Sequence, residues 1–238
     1  MQAGEHDTAG IGRCAVGVWW NGTGRVTVGG RFVVLEGVEG AGKSTQARLL
    51  AEWLERIGVP YLHTREPGGT PLGEEVRRLL LHGDDMPARA ELLLYLAARA
   101  ALVEREIRPA LESGRFVLAD RFGLSTLAYQ GSGRGLPHEA VKALHAFATG
   151  GIEPDLTILL DVPVELGAQR RAGPEGSDRI ERAGAVFHAR VAEAYRLLSR
   201  SEEGIELVDG TRRPEAVHAS VVALLRARFP ETFAAATG

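Results

Sequence analysis

Residues 37–44 read Gly-Val-Glu-Gly-Ala-Gly-Lys-Ser, and no other stretch restricts the fold as strongly. The spacing G-x-x-x-x-G-K-[ST] is that of a phosphate-cradling loop, which works only between a strand and a helix. Both flanks are present. Residues 32–35, Phe-Val-Val-Leu, read as a buried strand. Residues 44–57 carry apolar side chains at Ala47, Leu50, Ala51, Leu54 and Ile57, a helical spacing that stops at Gly58. Glycines let the backbone curl so that successive N–H groups converge on phosphate oxygens, and the helix start adds its positive dipole end. Gly37, Val38, Glu39, Gly40, Ala41, Gly42, Lys43, Ser44 and the adjoining Thr45 are therefore the candidate ATP-binding residues. Lys43 supplies a point charge to the β- and γ-phosphates, and the Ser44 hydroxyl can ligate Mg²⁺. The alternative is a Gly-rich strand–helix turn that binds nothing.

The rest of the chain repeats the alternation. Further strands are expected at residues 60–64, 116–119, 156–160 and 205–208. Helices are expected at 71–81 with Pro71 first, from Pro87 to about Glu112, at 123–130, 137–149, 164–170, 183–201 and 214–228. Strands alternating with helices predict an α/β fold of three layers, a five-stranded parallel sheet flanked by helices as in P-loop NTPases. No internal repeat or second domain is read. Residues 31–238 form one expected domain. Residues 1–30, with eight glycines, few charges and Trp19-Trp20, read as a flexible N-terminal extension. Their longest apolar stretch is too short for a secretory signal, and the sequon at Asn21 is taken as chance.

All but two of the 28 basic residues are arginine, the exceptions being Lys43 and Lys142. Coding bias accounts for most of this. The P-loop lysine stands apart, because a compact ammonium fits between phosphates where a planar guanidinium does not. A net charge of −3 argues against a protein that coats nucleic acid, and a single cysteine, Cys14, cannot form an internal disulfide. No apolar run reaches the length of a membrane span. A cytoplasmic protein with no nucleic-acid or membrane partner is expected.

In open parallel sheets, ligands sit beyond the carboxyl ends of the strands. The expected strand ends carry the P-loop, then Arg65, then Asp120-Arg121, then Asp161. Asp120 stands where a carboxylate holds Mg²⁺ through water. Arg65 and Arg121 exceed what one MgATP needs, and guanidinium forks suit a second phosphate-bearing molecule. Structural ion pairs are the alternative, and for Asp161 the favoured one. Tyr95 and Arg99 lie four residues apart on one helix face, suited to a planar base, although an aromatic in an Ala/Leu-rich helix more often serves core packing. Residues 169–182, charged and Gly/Pro-punctuated, read as a lid that brings arginine to the transferring group, or as a solvated basic loop.

Together, FVVLEGVEGAGKSTQ (32–46), TREPGGT (64–70), LYLAAR (94–99), DRFGLSTLAYQGSGRG (120–135), PDLTILLDV (154–162) and DRIE (178–181) resemble the thymidylate kinase family. TREPGGT combined with DRF…STLAYQG is far more specific than the P-loop. The resemblance implies transfer of the γ-phosphoryl group of MgATP to dTMP, giving dTDP and ADP for dTTP synthesis. It implies that Lys43, Asp120, Arg121 and lid arginines Arg170 or Arg171 are catalytic, with Arg179 a further lid candidate, and that Ser44 and Asp120 serve the metal. Glu39 would contact the sugar 3′-hydroxyl, and Arg65 and Arg121 the dTMP phosphate. Tyr95 would stack on thymine where the family usually has Phe, so its hydroxyl needs a partner. Arg99 would donate to a thymine carbonyl and Thr126 would sit near N3, with Ser125 and Gln130 in the same pocket. Tyr129 would pack on the deoxyribose and disfavour a 2′-hydroxyl. Gly40, where part of the family has Arg, goes with a bacterial-type lid that supplies the arginine. Gly173-Pro174 stand where such lids carry further basic residues. A homodimer packed through helices is also implied.

Two rivals remain at this point. A kinase for another nucleotide would differ in the base contacts of Arg99, Thr126 and Gln130. A nucleotide switch without a second substrate would not need Arg65 and Arg121 together.

Overall fold

The computed structural model describes residues 18–20, 26–171 and 178–233. Most of the expected N-terminal extension, including Cys14 and Asn21, and the centre of the expected lid, with Gly173-Pro174, lie outside them. Within the extension, β1 (Val18–Trp20) pairs antiparallel with β2 (Val26–Val28). No helix among the described residues is long and apolar enough to cross a membrane.

The main sheet contains β3 (Phe32–Glu36), β4 (Tyr61–Arg65), β5 (Phe116–Asp120), β6 (Leu156–Asp161) and β7 (Ile205–Asp209). All neighbours are parallel, in the order β4-β5-β3-β6-β7. β3 is central and its apolar residues are buried on both faces, which is why it reads as a continuous run rather than an alternation. Val33 and Leu35 face one core with Leu50, Leu54 and Val221, while Phe32 and Val34 face the other with Val103, Ile107 and Phe122. The chain runs from β3 to one edge, returns through β5 and crosses to β6. That reversal beside β3 opens the crevice at the strand ends.

The helices are α1 (Lys43–Arg56), α2 (Pro71–His82), α3 (Ala88–Leu102), α4 (Arg108–Glu112), α5 (Gly123–Thr126), α6 (His138–Thr149), α7 (Val164–Arg171), α8 (Ala185–Ser201), α9 (Pro214–Arg228) and α10 (Pro230–Phe233). α2 starts where the sequence indicates: Thr70 Oγ1 accepts from Gly73 N at 3.0 Å and Pro71 occupies the first turn.

Two expected helices differ in detail. The rod expected from Pro87 to Glu112 is α3 and α4 joined by a π-helical turn, Val103–Ile107. Pro109 lacks an N–H, and its ring would clash with the carbonyl four residues back, so the wider turn relieves α-helical spacing there. The helix expected over 123–130 keeps α geometry only to Thr126 and widens to a π turn, Leu127–Gly133, that carries Tyr129 and Gln130.

Candidate active site

The loop leaves β3 at Glu36 and enters α1 at Lys43. Gly40 has φ 73°, and a Cβ there would lie 2.1 Å from the Gly167 carbonyl oxygen on α7. Gly167 answers: its own Cβ would lie 2.5 Å from the Glu39 carbonyl oxygen. Loop and α7 thus meet backbone to backbone, which explains glycine rather than arginine at position 40. Gly42, φ 96°, caps α1 without a side-chain acceptor, leaving the first-turn N–H groups for an anion. Lys43 Nζ donates to Gly37 O at 3.0 Å and Val38 O at 2.9 Å. Burial, and then Arg121, push its pKa down to about 8. Val38 and Ala41 are buried beneath the loop, whereas Ser44 and Thr45 are exposed at the helix start. Ser44 Oγ donates to Asp120 Oδ2 at 2.9 Å, bringing the two expected metal-holding side chains together.

A cavity of about 320 Å³ opens beside this loop. Glu39, Gly40, Lys43, Ser44, Asp120 and Arg121 line its loop end. Arg121 follows β5 with φ 76°, the left-handed region that costs a non-glycine residue about 1–2 kcal/mol. It is the one non-glycine residue there among the described residues. Its Nη1 donates to Gly37 O, Ser125 Oγ and Tyr195 OH at 3.0–3.2 Å, and its Nη2 to Glu39 Oε1 at 3.1 Å. Burial opposes its charge, but Tyr129, Tyr195, Glu39 and Glu36 around it raise its pKa well beyond the usual. Burial also favours neutral Glu39, yet Arg121 and Lys43 hold that carboxyl below the ordinary range. Tyr129 OH donates to Glu39 Oε1 at 2.6 Å, and its ring lies 5.1 Å under the Arg121 guanidinium. Arg65, half-exposed at the end of β4, pairs with Glu74 Oε2 at 3.0 Å.

Arg65, Arg77, Tyr95, Arg99, Thr126 and Gln130 also line the cavity, with Arg65 level with Asp120 on the neighbouring strand. Arg99 is 1% exposed. It donates to Glu66 Oε2 through Nε at 2.8 Å and Nη2 at 2.6 Å, to Phe122 O at 3.0 Å, and approaches His145 Nδ1 at 3.1 Å. Because arginine only donates, His145 accepts at Nδ1, and one Nη1 hydrogen of Arg99 remains for a ligand. Burial raises the Glu66 pKa against the pull of Arg99. Tyr95 packs with Val76, Leu80 and Ala98. Its hydroxyl makes no hydrogen bond among the described residues, so the partner expected for it is not found there. Burial raises its pKa, followed by Glu91, keeping the phenol neutral.

The lid arginines are placed differently from one another. Arg170 donates to Gly210 O at 2.8 Å and Thr211 O at 3.1 Å, away from the cavity lining. The Arg171 side chain lies outside what is described. Arg179 is buried, donating through Nε to Leu80 O at 2.8 Å and through Nη1 to Glu91 Oε2 at 2.6 Å. The sequence reading missed four groups. Glu36 Oε1 accepts from the Phe122 and Ser125 N–H groups, and its Oε2 from Ser125 Oγ and Tyr195 OH, all at 2.6–3.0 Å. Tyr195 reaches this cluster from α8. Arg77 adds a third arginine beside Arg65 and Arg99. Glu91 is completely buried beside Gln130. Only Glu91 carried a signal, its i−4 spacing from Tyr95 and i−8 spacing from Arg99.

Comparison with known proteins gives one result. The family model described as Thymidylate kinase matches residues 35–221. A thymidylate kinase of Fervidobacterium nodosum is 46% identical over 196 residues, covering 82% of this chain and 98% of that protein. One of Trichormus variabilis is 46% identical, covering 86% and 99%. One of a Synechococcus strain is 54% identical, covering 71% and 85%.

Proposed function

The chain belongs to the thymidylate kinase family, an ATP-using kinase that phosphorylates dTMP to dTDP, and from that premise we propose how its residues divide the work. The P-loop amides and Lys43 hold the ATP phosphates. Arg65 and Arg121 hold the dTMP phosphate, with Arg121 between the two substrates. The observation that carries this division is the strained Arg121, fixed by Gly37 O, Ser125, Tyr195 and Glu39 at the mouth of the P-loop. Strain of that kind persists only where the surroundings over-determine it.

The acceptor is already an anion, so no strong base is required. Positioning and charge neutralisation carry the reaction, with Lys43 on the transferring phosphoryl group and Arg121 on the acceptor oxygens. Ser44 Oγ and Asp120 Oδ2, a hydroxyl and one carboxylate, suit a hard cation that takes its other ligands from water and phosphate. Bound there, Mg²⁺ would neutralise charge developing on the phosphate oxygens. Glu39, ionised and held by Tyr129 and Arg121, accepts from the sugar 3′-hydroxyl, and the Tyr129 ring occupies the space of a 2′-hydroxyl. Tyr95 stacks on thymine, Arg99 offers its free hydrogen to a thymine carbonyl, and Thr126 and Gln130 complete the base pocket. Arg170 or Arg171 turns to the transferring phosphoryl group when both substrates are present.

The enzyme is proposed to act in the cytoplasm, where ATP and dTMP are met, and as a homodimer. Leu72, Leu79, Leu93, Leu144 and Phe147, exposed on α2, α3 and α6, support a helix-packed interface. Arg121→Ala tests the division of work: turnover should drop by at least a hundredfold, on the order of a lost oxyanion-type donor, with dTMP affinity reduced and ATP affinity nearly intact. Unchanged dTMP kinetics would remove Arg121 from the acceptor site.

A further inference from the structure

Glu91 is a completely buried carboxylate on the first turn of α3, one and two helical steps before Tyr95 and Arg99. Its Oε1 accepts from Gln130 Nε2 at 2.8 Å and Arg134 Nε at 3.1 Å, and its Oε2 from Arg134 Nη2 at 3.0 Å and Arg179 Nη1 at 2.6 Å. These donors hold its carboxyl below the usual range although burial works the other way.

The consequence falls on Gln130. An ionised carboxylate can only accept, so the Gln130 amide must turn its NH₂ group to Glu91. Its Oε1 then faces elsewhere. That oxygen accepts from no described residue and is not among the sealed, unpartnered polar atoms, while Gln130 lines the cavity beside Arg99 and Thr126. We propose that Glu91 is a specificity-positioning residue: by fixing the Gln130 amide it presents an acceptor to the base, and so selects a pyrimidine carrying an N3–H over one with a bare N3. Thr126 cannot make this distinction, because a hydroxyl rotates to donate or accept. Arg99 reads the neighbouring exocyclic position as a donor, and the two together match thymine and oppose cytosine. This inference rests on the thymidine-monophosphate reading of the pocket; dTMP turnover by the wild-type enzyme checks that reading separately.

The experiment compares kcat/KM for dTMP and dCMP in Glu91→Gln, which keeps the shape and removes the charge that orients the amide. The ratio of dTMP to dCMP should fall roughly tenfold, the order of one hydrogen bond made with the wrong sense. In a Gln130→Met background, Glu91→Gln should move the ratio no further. An unchanged ratio in folded Glu91→Gln overturns the proposal, since a merely structural role would lower melting temperature and both activities together. An equal fall in the Gln130→Met background also overturns it. Should Glu91→Gln not fold, Gln130→Met alone decides: a fallen ratio supports the amide reading and an unchanged one ends it.

Discussion

Lys43 shows how one residue type is fixed by chemistry and how its environment then tunes it. Its ammonium rests on Gly37 O and Val38 O, and burial together with Arg121 lowers its pKa to about 8. ATP phosphates at this loop restore the charged form, so the bound state holds the proton above the pH at which the free protein releases it. ATP binding should therefore take up close to one proton between about pH 8 and 10, and ATP affinity should fall as pH rises through that window. Calorimetry in buffers of different ionisation enthalpy measures the uptake; none at pH 9 contradicts the assigned role. The same shift bears on stability. The unfolded lysine, near 10.5, binds more protons than the folded one, so this group adds stability as pH rises from about 8 toward 10.5. Lys43, Ser44, Asp120 and Arg121 were legible because a motif or a strand end marked them. Glu36, Arg77 and Tyr195 were not, because single side chains brought in from separate elements leave no spacing to read.

At the scale of elements, the seam between the P-loop and α7 is a contact of two glycines far apart in sequence. Gly40 has both a left-handed φ and a carbonyl 2.1 Å from any Cβ, so it tolerates neither alanine nor arginine. Gly40→Ala should displace the loop and weaken ATP binding by at least tenfold, leaving dTMP binding within about twofold, the strain alone accounting for about 1 kcal/mol or more. Titration of each nucleotide separately checks this, and intact ATP affinity would show that α7 yields to the methyl group. Every strand of the main sheet and the major helices were visible in the sequence, because apolar periodicity and caps mark them. The π turns were not, since Val103–Ile107 and Leu127–Gly133 keep helical composition and differ only in backbone pitch. The β1–β2 ladder was missed because strands of three residues amid glycines are too short to show a sustained alternation.

For the whole molecule, the parallel sheet gathers the P-loop, Arg65, Asp120 and Arg121 at one edge, and this much of the site follows from topology. Quaternary structure is not encoded that way, because an exposed leucine in one chain looks the same whether or not a second chain covers it. Phe147, 87% exposed at the end of α6, is the largest side chain on the proposed dimer face. The 25.5 kDa chain should sediment at about twice its mass, and Phe147→Glu should shift it toward monomer at micromolar concentration. Monomeric wild type would exclude the homodimer. The most direct test of the site as a whole is ATP-dependent phosphorylation across a panel of nucleoside monophosphates. Release of ADP should require an acceptor, with dTMP giving the highest kcat/KM and dCMP among the lowest. Equal ADP release without any monophosphate, or a higher kcat/KM for another base, would contradict the assignment of Arg65, Arg99 and Arg121 to a bound dTMP.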